Sequence, residues 1–94
     1  MIIVSQDKCT IVNFSNIQNI RIEPYGTHIK GKKIYKIFTG NFEGYTTELG
    51  EYKTEERAKE VLQRIVETYE DCNASAVSTG YGYVKNRVYA MPED

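Results

Sequence analysis

The sequence predicts an α+β fold: a mainly antiparallel, twisted sheet of five to six strands, in the order β-β-β-β-β-α-β, with one amphipathic helix packed on it. Three observations lead there. After Thr54, the residues Ala58, Val61, Leu62, Ile65, Val66 and Tyr69 fall at i, i+3, i+4, i+7, i+8 and i+11, a single apolar stripe at the helical period. The rest of the chain offers short β-prone runs punctuated by turn residues. Neighbouring runs are joined by connections too short for a parallel crossover, so they pair antiparallel.

Each element has its own justification. Ile2, Ile3 and Val4 form a first strand that ends at Ser5-Gln6-Asp7-Lys8, and Thr10 to Phe14 forms a second, so the two read as a hairpin with Asp7 and Lys8 near its tip. Ser15-Asn16 breaks the pattern. From Ile17 to Glu23, Ile20 and Ile22 share a face while Ile17 is out of phase, which predicts a bulge or a late strand start near Asn19. Pro24 lacks a ladder donor and Gly26 permits positive φ, so Pro24 to Gly31 is expected as a loop. Lys33 to Thr39 is expected as a central strand, with Ile34 and Phe38 on one face and Tyr35 and Ile37 on the other. A turn over Gly40 to Gly44 leads to a returning strand from Tyr45 to Tyr52. Phe42, at the turn, is expected either to anchor a ligand or partner or to fold back over the sheet edge.

Thr54 is the expected N-cap of the helix, and Glu55 and Glu56 complement its positive end. The helix is expected from about Glu55 to Asp71, with Asn73 just past its end and a mobile connection over Ala74 to Gly82. On its solvated face Glu55 and Lys59, and Glu60 and Arg64, stand at i, i+4 in the favourable order. A final strand lies within Tyr83 to Met91, before the acidic Pro92-Glu93-Asp94. Ninety-four residues fit one domain.

Composition narrows the function classes. The chain is 27% charged with a net charge of −1, which argues against dedicated nucleic-acid binding. No apolar run approaches the roughly 20 residues needed to span a bilayer, and Met1-Ile2-Ile3-Val4 lacks the flanks of a signal peptide. The expected location is the cytoplasm. Cys9 and Cys72 lie far apart without a C-x-x-C or a neighbouring His, so no metal site is drawn; a disulfide is open geometrically, but two buried or half-buried thiols are the favoured reading. Nothing in the pattern supports a catalytic role for the single histidine, His28, or for the carboxylates of the solvated helix face. The chain reads as a non-enzyme with no cofactor.

Charge is unevenly spread. Ile20 to Gly40 holds five basic residues against Glu23, whereas Asn41 to Asp71 holds nine acids against four bases. The basic stretch is either a local anion-binding patch or ordinary solvated charge. Eight tyrosines is a high count. Tyr25 lies in the basic stretch with His28 and Lys30, and Tyr81 and Tyr83 lie in G-Y-G-Y before Arg87. Aromatic faces beside cations suit stacking on a base or sugar plus neutralisation of a phosphate, while half-buried sheet surface accounts for tyrosine equally naturally. Thr79-Gly80-Tyr81-Gly82 follows the helix instead of opening one, so it is neither a P-loop nor a dinucleotide fingerprint.

At I-V-S-Q-D-K (Ile3 to Lys8), L-G-E-Y-K-T-E-E-R-A-K-E-V-L (Leu49 to Leu62) and V-Y-A-M-P-E (Val88 to Glu93), the chain resembles a group of small accessory proteins carried by phages and prophages of Gram-positive bacteria. The resemblance implies the cytoplasm of an infected bacterial host and a protein that acts by binding, as anti-defence proteins that soak up nucleotide immune signals do. The expectation is then sequestration of a small anionic ligand, such as a nucleotide, by Tyr25, His28, Lys30, Tyr81, Tyr83 and Arg87, in a homo-oligomer whose pocket forms between subunits. The alternative expectation is a protein–protein interaction module that inhibits or adapts a host or phage protein through a sheet edge or the acidic helix face.

Overall fold

The structure is a computed structural model that describes residues 1–27, 31–79 and 88–94, with backbone alone for residues 72–79. The predicted element order is present, but the strands form two three-stranded sheets where one sheet of five to six was expected. In the first sheet β1 (Ile2–Val4) is central, with β2 (Ile11–Asn13) antiparallel on one side and β6 (Val88–Ala90) parallel on the other. The second is an antiparallel meander of β3 (Ile17–Gly26), β4 (Lys33–Asn41) and β5 (Thr46–Tyr52), followed by α1 (Glu55–Thr79). A short 3-10 turn, Phe14–Asn16, separates β2 from β3. Its start is tied down by the Asn13 carboxamide oxygen, which accepts from the Ser15 N–H at 3.1 Å. That local alternative to strand backbone breaks the ladder, so β3 begins a new sheet instead of extending the first.

The β1–β2 turn is built by short polar side chains. Asp7 accepts from the Ser5 hydroxyl at 2.6 Å and from the Cys9 N–H at 2.9 Å, and these bonds hold its carboxyl below the usual carboxylate range. Lys8 takes a φ of 64°, as a tight turn requires. Cys9 is an exposed thiol on this turn, not a buried or half-buried one, because the turn projects away from the core.

The bulge expected near Asn19 is present, as a register shift between Ile17 and Asn19. The loop expected from Pro24 is not: β3 continues through Pro24 and Tyr25 to Gly26, pairing with Tyr35, Ile34 and Lys33. Being an edge strand, β3 tolerates a residue without an N–H. β4 is the central strand, as expected. A second irregularity sits in β5, where Leu49 is the extra residue between the pairs Phe38↔Glu48 and Ile37↔Gly50 and is buried. Gly44, at φ 92°, closes the β4–β5 turn. Phe42 does not fold back over the sheet; it is 73% exposed at the turn, with Tyr45 beside it.

Thr54 caps α1 as predicted, its hydroxyl accepting from the Arg57 N–H at 3.1 Å. The helix runs on past Asp71 to Thr79, roughly 38 Å in all. The sequence from Glu51 to Thr79 has no glycine or proline, and Asn73 alone does not stop it before Gly80. The core consists of Ile3, Ile37, Leu49, Tyr52, Ala58, Val61, Ile65 and Met91, drawn from both sheets and the helix. Of the predicted stripe, Ala58, Val61 and Ile65 are sealed, whereas Val66 and Tyr69 are 40% and 41% exposed. Near its middle, Phe14 packs on Tyr69, ring to ring at 4.7 Å.

Candidate functional site

Three segments far apart in sequence meet where β5 passes into α1. The Gln6 backbone N–H donates to Leu49 O at 2.7 Å, and its carboxamide joins the β1–β2 turn to β5 and to the C-terminal residues. Nε2 donates to the carbonyls of Glu51, Pro92 and Glu93 at 2.9, 3.2 and 2.8 Å, and Oε1 accepts from the Glu51 N–H at 2.9 Å. Tyr52 adds a bond from its hydroxyl to Pro92 O at 2.9 Å, and burial pushes that phenol up to about 12. Gly50 allows this close approach, since a Cβ there would lie 3.1 Å from the Gln6 side chain and 3.2 Å from the Tyr52 hydroxyl.

Two adjoining clefts open at this junction. One, of about 540 Å³, is lined by Gln6, Ile34, Tyr52, Arg57 and the Glu93–Asp94 end, among others. The other, of about 320 Å³, is lined by Gly31, Lys33, Tyr35, Glu55 and Glu56. Lys53 and Thr54 line both. The first turn of α1 brings unpaired backbone N–H groups and the positive end of the helix dipole to this place. Among the described residues Lys33 and Lys53 form no ion pair. Arg57 is already engaged, donating from Nε to Asp94 O at 3.1 Å and from Nη1 to Glu60 at 2.8 Å. Of the five acids among the described residues that line the two clefts, Glu55 is paired with Lys59 at 3.2 Å and Glu93 with Lys8 at 3.7 Å, and Glu51, Glu56 and Asp94 oppose an anion.

Of the six residues singled out in the sequence, Tyr25 alone falls within the described residues. His28, Lys30, Tyr81, Tyr83 and Arg87 lie outside them. Tyr25 stands on the outer face of the second sheet, not in a basic loop. The Lys36 ammonium lies 4.9 Å from its ring centroid, Phe38 is 6.0 Å away, and its hydroxyl donates to Glu23 at 3.2 Å. The cations of that face are matched: Arg21 binds Glu23 at 2.7 Å, and Lys36 binds Glu48 at 2.9 Å. These pairs lower the pKa of Glu23 and raise that of Lys36. The aromatic and cationic groups of this face pack on one another.

Lys33 belongs to the basic stretch that the sequence offers as an anion-binding patch, whereas Gln6 and Lys53 stand outside the residues it singles out. Gln6 looked like one more polar turn residue, and its role depends on contacts 45 and 87 residues away. For Lys53 there was a usable signal, its position immediately before the N-cap, where a cation meets the helix start.

No group of three or more His, Cys, Asp or Glu among the described residues is placed to hold a metal ion. No helix among them is long and apolar enough to cross a membrane. Set against models of protein families, curated proteins and solved structures, the chain matches none of them.

Proposed function

We propose that this chain is a non-enzymatic accessory protein, of the anti-defence kind found in phages, that binds and sequesters a small anionic ligand such as a nucleotide signal. The observation that carries the reading is the pair of adjoining clefts at the start of α1, where Lys33 and Lys53 line the site without a carboxylate partner among the described residues. A phosphate in the smaller cleft gains both cations and the free N–H groups of the helix start, with the rest of the ligand in the larger one. The larger cleft, about 540 Å³, is of the size that nucleotide-scale ligands occupy. The homo-oligomer belongs to the same proposal: Val66 and Tyr69 leave an apolar strip on the far half of α1 that a second copy would cover.

The test is titration of the protein with a panel of mononucleotides and cyclic dinucleotides, followed by calorimetry. The double variant Lys33→Ala, Lys53→Ala is expected to bind the best of them at least about tenfold more weakly, the equivalent of one lost charge-assisted hydrogen bond, with an unchanged melting temperature. Equal affinity in the double variant would contradict this site. Arg87→Ala, run alongside, reports whether the other half of the sequence-derived set takes part.

A second reading, an interaction module that inhibits or adapts another protein, is favoured by one observation. The outer face of the first sheet carries Ile2, Val4, Ile11, Val88 and Ala90, with Ile11 and Val88 69% and 67% exposed. Val88→Ser would weaken a partner complex on that reading and leave nucleotide affinity untouched.

A further inference from the structure

A third cleft, of about 240 Å³, lies where β2 faces the ends of β4 and β5, and it shares no lining residue with the two at the helix start. Among the described residues its lining is uncharged: Thr10, Thr39, Thr47, Asn13, Asn16 and Asn41, with Tyr45 and Ile11 among the apolar and aromatic members. Thr39 is 3% exposed, and its hydroxyl has no hydrogen-bond partner among the described residues. Ser5, the other buried hydroxyl, shows the normal arrangement: it donates to Asp7 and accepts from the Thr10 N–H at 3.0 Å.

More bonding capacity points the same way. Asn41 Oδ1 accepts from the N–H groups of Glu43 and Tyr45, at 3.0 and 2.9 Å, and Asn13 Oδ1 accepts from Ser15, while neither amide nitrogen has a partner among the described residues. The β1–β2 ladder contributes backbone. Phe14 donates to Met1 O and Ser5 to Thr10 O, which makes Ile3↔Val12 the mutually bonded pair and turns the N–H and C=O of Ile11 and Asn13 to the open edge of β2. Because Ile11, Val12 and Asn13 all line the cleft, it runs along that edge.

Neutral donors and acceptors in number, no charge, and an exposed tyrosine ring at the rim match one kind of ligand chemistry. We infer that this cleft binds a neutral ring bearing vicinal hydroxyls, a sugar, whether as a free saccharide or as the ribose of a nucleoside. The hydroxyls exchange bonds with Thr39, Thr47 and the amides of Asn13 and Asn41, and Tyr45 covers an apolar ring face. A phosphate adds nothing here, because no cation among the described residues lines the cleft.

Backbone amide NMR decides it, with D-ribose, D-glucose, adenosine and ribose 5-phosphate as probes at millimolar concentration. The expected result is saturable shifts at Thr39, Asn41 and Thr47, with ribose 5-phosphate no tighter than ribose. Adenosine binding more tightly than ribose would identify a nucleoside as the source, and equal binding a free sugar. Thr39→Val, nearly isosteric, is expected to weaken the best probe about tenfold while keeping the fold, since it replaces an unpaired buried hydroxyl by a methyl. Thr47→Val gives an independent reading should Thr39→Val not fold. No shift with any probe, shifts elsewhere alone, or unchanged affinity in both variants would overturn the assignment.

Discussion

The two sheets solve the same problem in opposite ways. The meander of β3, β4 and β5 has long strands and finishes its own outer face: Tyr25 and Phe38 lie against each other, Arg21 sits 5.6 Å over the Phe38 ring, and each cation has its carboxylate. The sheet of β2, β1 and β6 has three-residue strands, draws β6 from the far end of the chain, and is apolar on both faces. Its inner face supplies Ile3 to the core; its outer face leaves Ile11 and Val88 uncovered. The difference teaches where stability and where binding capacity reside. The outer face of the meander has little left to offer a ligand, whereas the ends of β4 and β5 and the outer face of the first sheet keep unspent groups.

The largest effect expected from this contrast is in the shared core. Ile37→Ala or Ile65→Ala, both at fully buried positions, should each lower stability by about 2–5 kcal/mol in urea unfolding, whereas Ile11→Ser or Val88→Ser on the outer face should change it by less than about 0.5 kcal/mol. A large loss at Val88 would show that the first sheet's outer face is covered in solution. Next comes the fastening between the sheets. Gln6→Ala removes four side-chain hydrogen bonds that hold Glu51 and the C-terminal residues, and a loss of about 1–3 kcal/mol is expected, with hydrogen exchange quickening first at Met91 and Val4, whose backbones are bonded at 3.0 Å.

The pH dependence follows from Tyr52. Its folded pKa of about 12 lies above the ordinary value of 10.0, so the folded state holds a proton that the unfolded state gives up. The associated stability is complete below pH 10 and is lost as pH rises through 12. Tyr52→Phe should flatten alkaline unfolding in that window and lower stability at neutral pH by about 1 kcal/mol, for the bond to Pro92. The smallest effect belongs to the finished outer face: Glu48→Gln leaves Lys36 without its partner yet should cost no more than about 1 kcal/mol, because the pair is partly exposed to solvent.

Much of the second sheet and the start of the helix was legible locally. Thr54 as N-cap, the irregularity near Asn19 and the central place of β4 each follow from a few adjacent residues. The make-up of the first sheet was not, because it depends on Ile2–Val4 pairing with Val88–Ala90 in parallel, and no turn signal announces a partner that far away. The helix end was misplaced because a lone Asn73 was weighted over a stretch without glycine or proline. At the candidate site, Tyr25 packs within its sheet and Lys33 and Lys53 reach one place only through the fold, while His28, Lys30, Tyr81, Tyr83 and Arg87 lie outside the described residues.

A sequestering protein must carry its small anionic ligand through purification. Native mass spectrometry of the protein purified from bacterial cells in which phage-defence signalling is active, compared with the same protein unfolded and refolded, measures this directly. The expected result is an oligomer with an added mass of a few hundred daltons that the refolded sample lacks and that the double variant Lys33→Ala, Lys53→Ala fails to retain. A bare monomer, or one holding a second polypeptide in place of a small molecule, would contradict it.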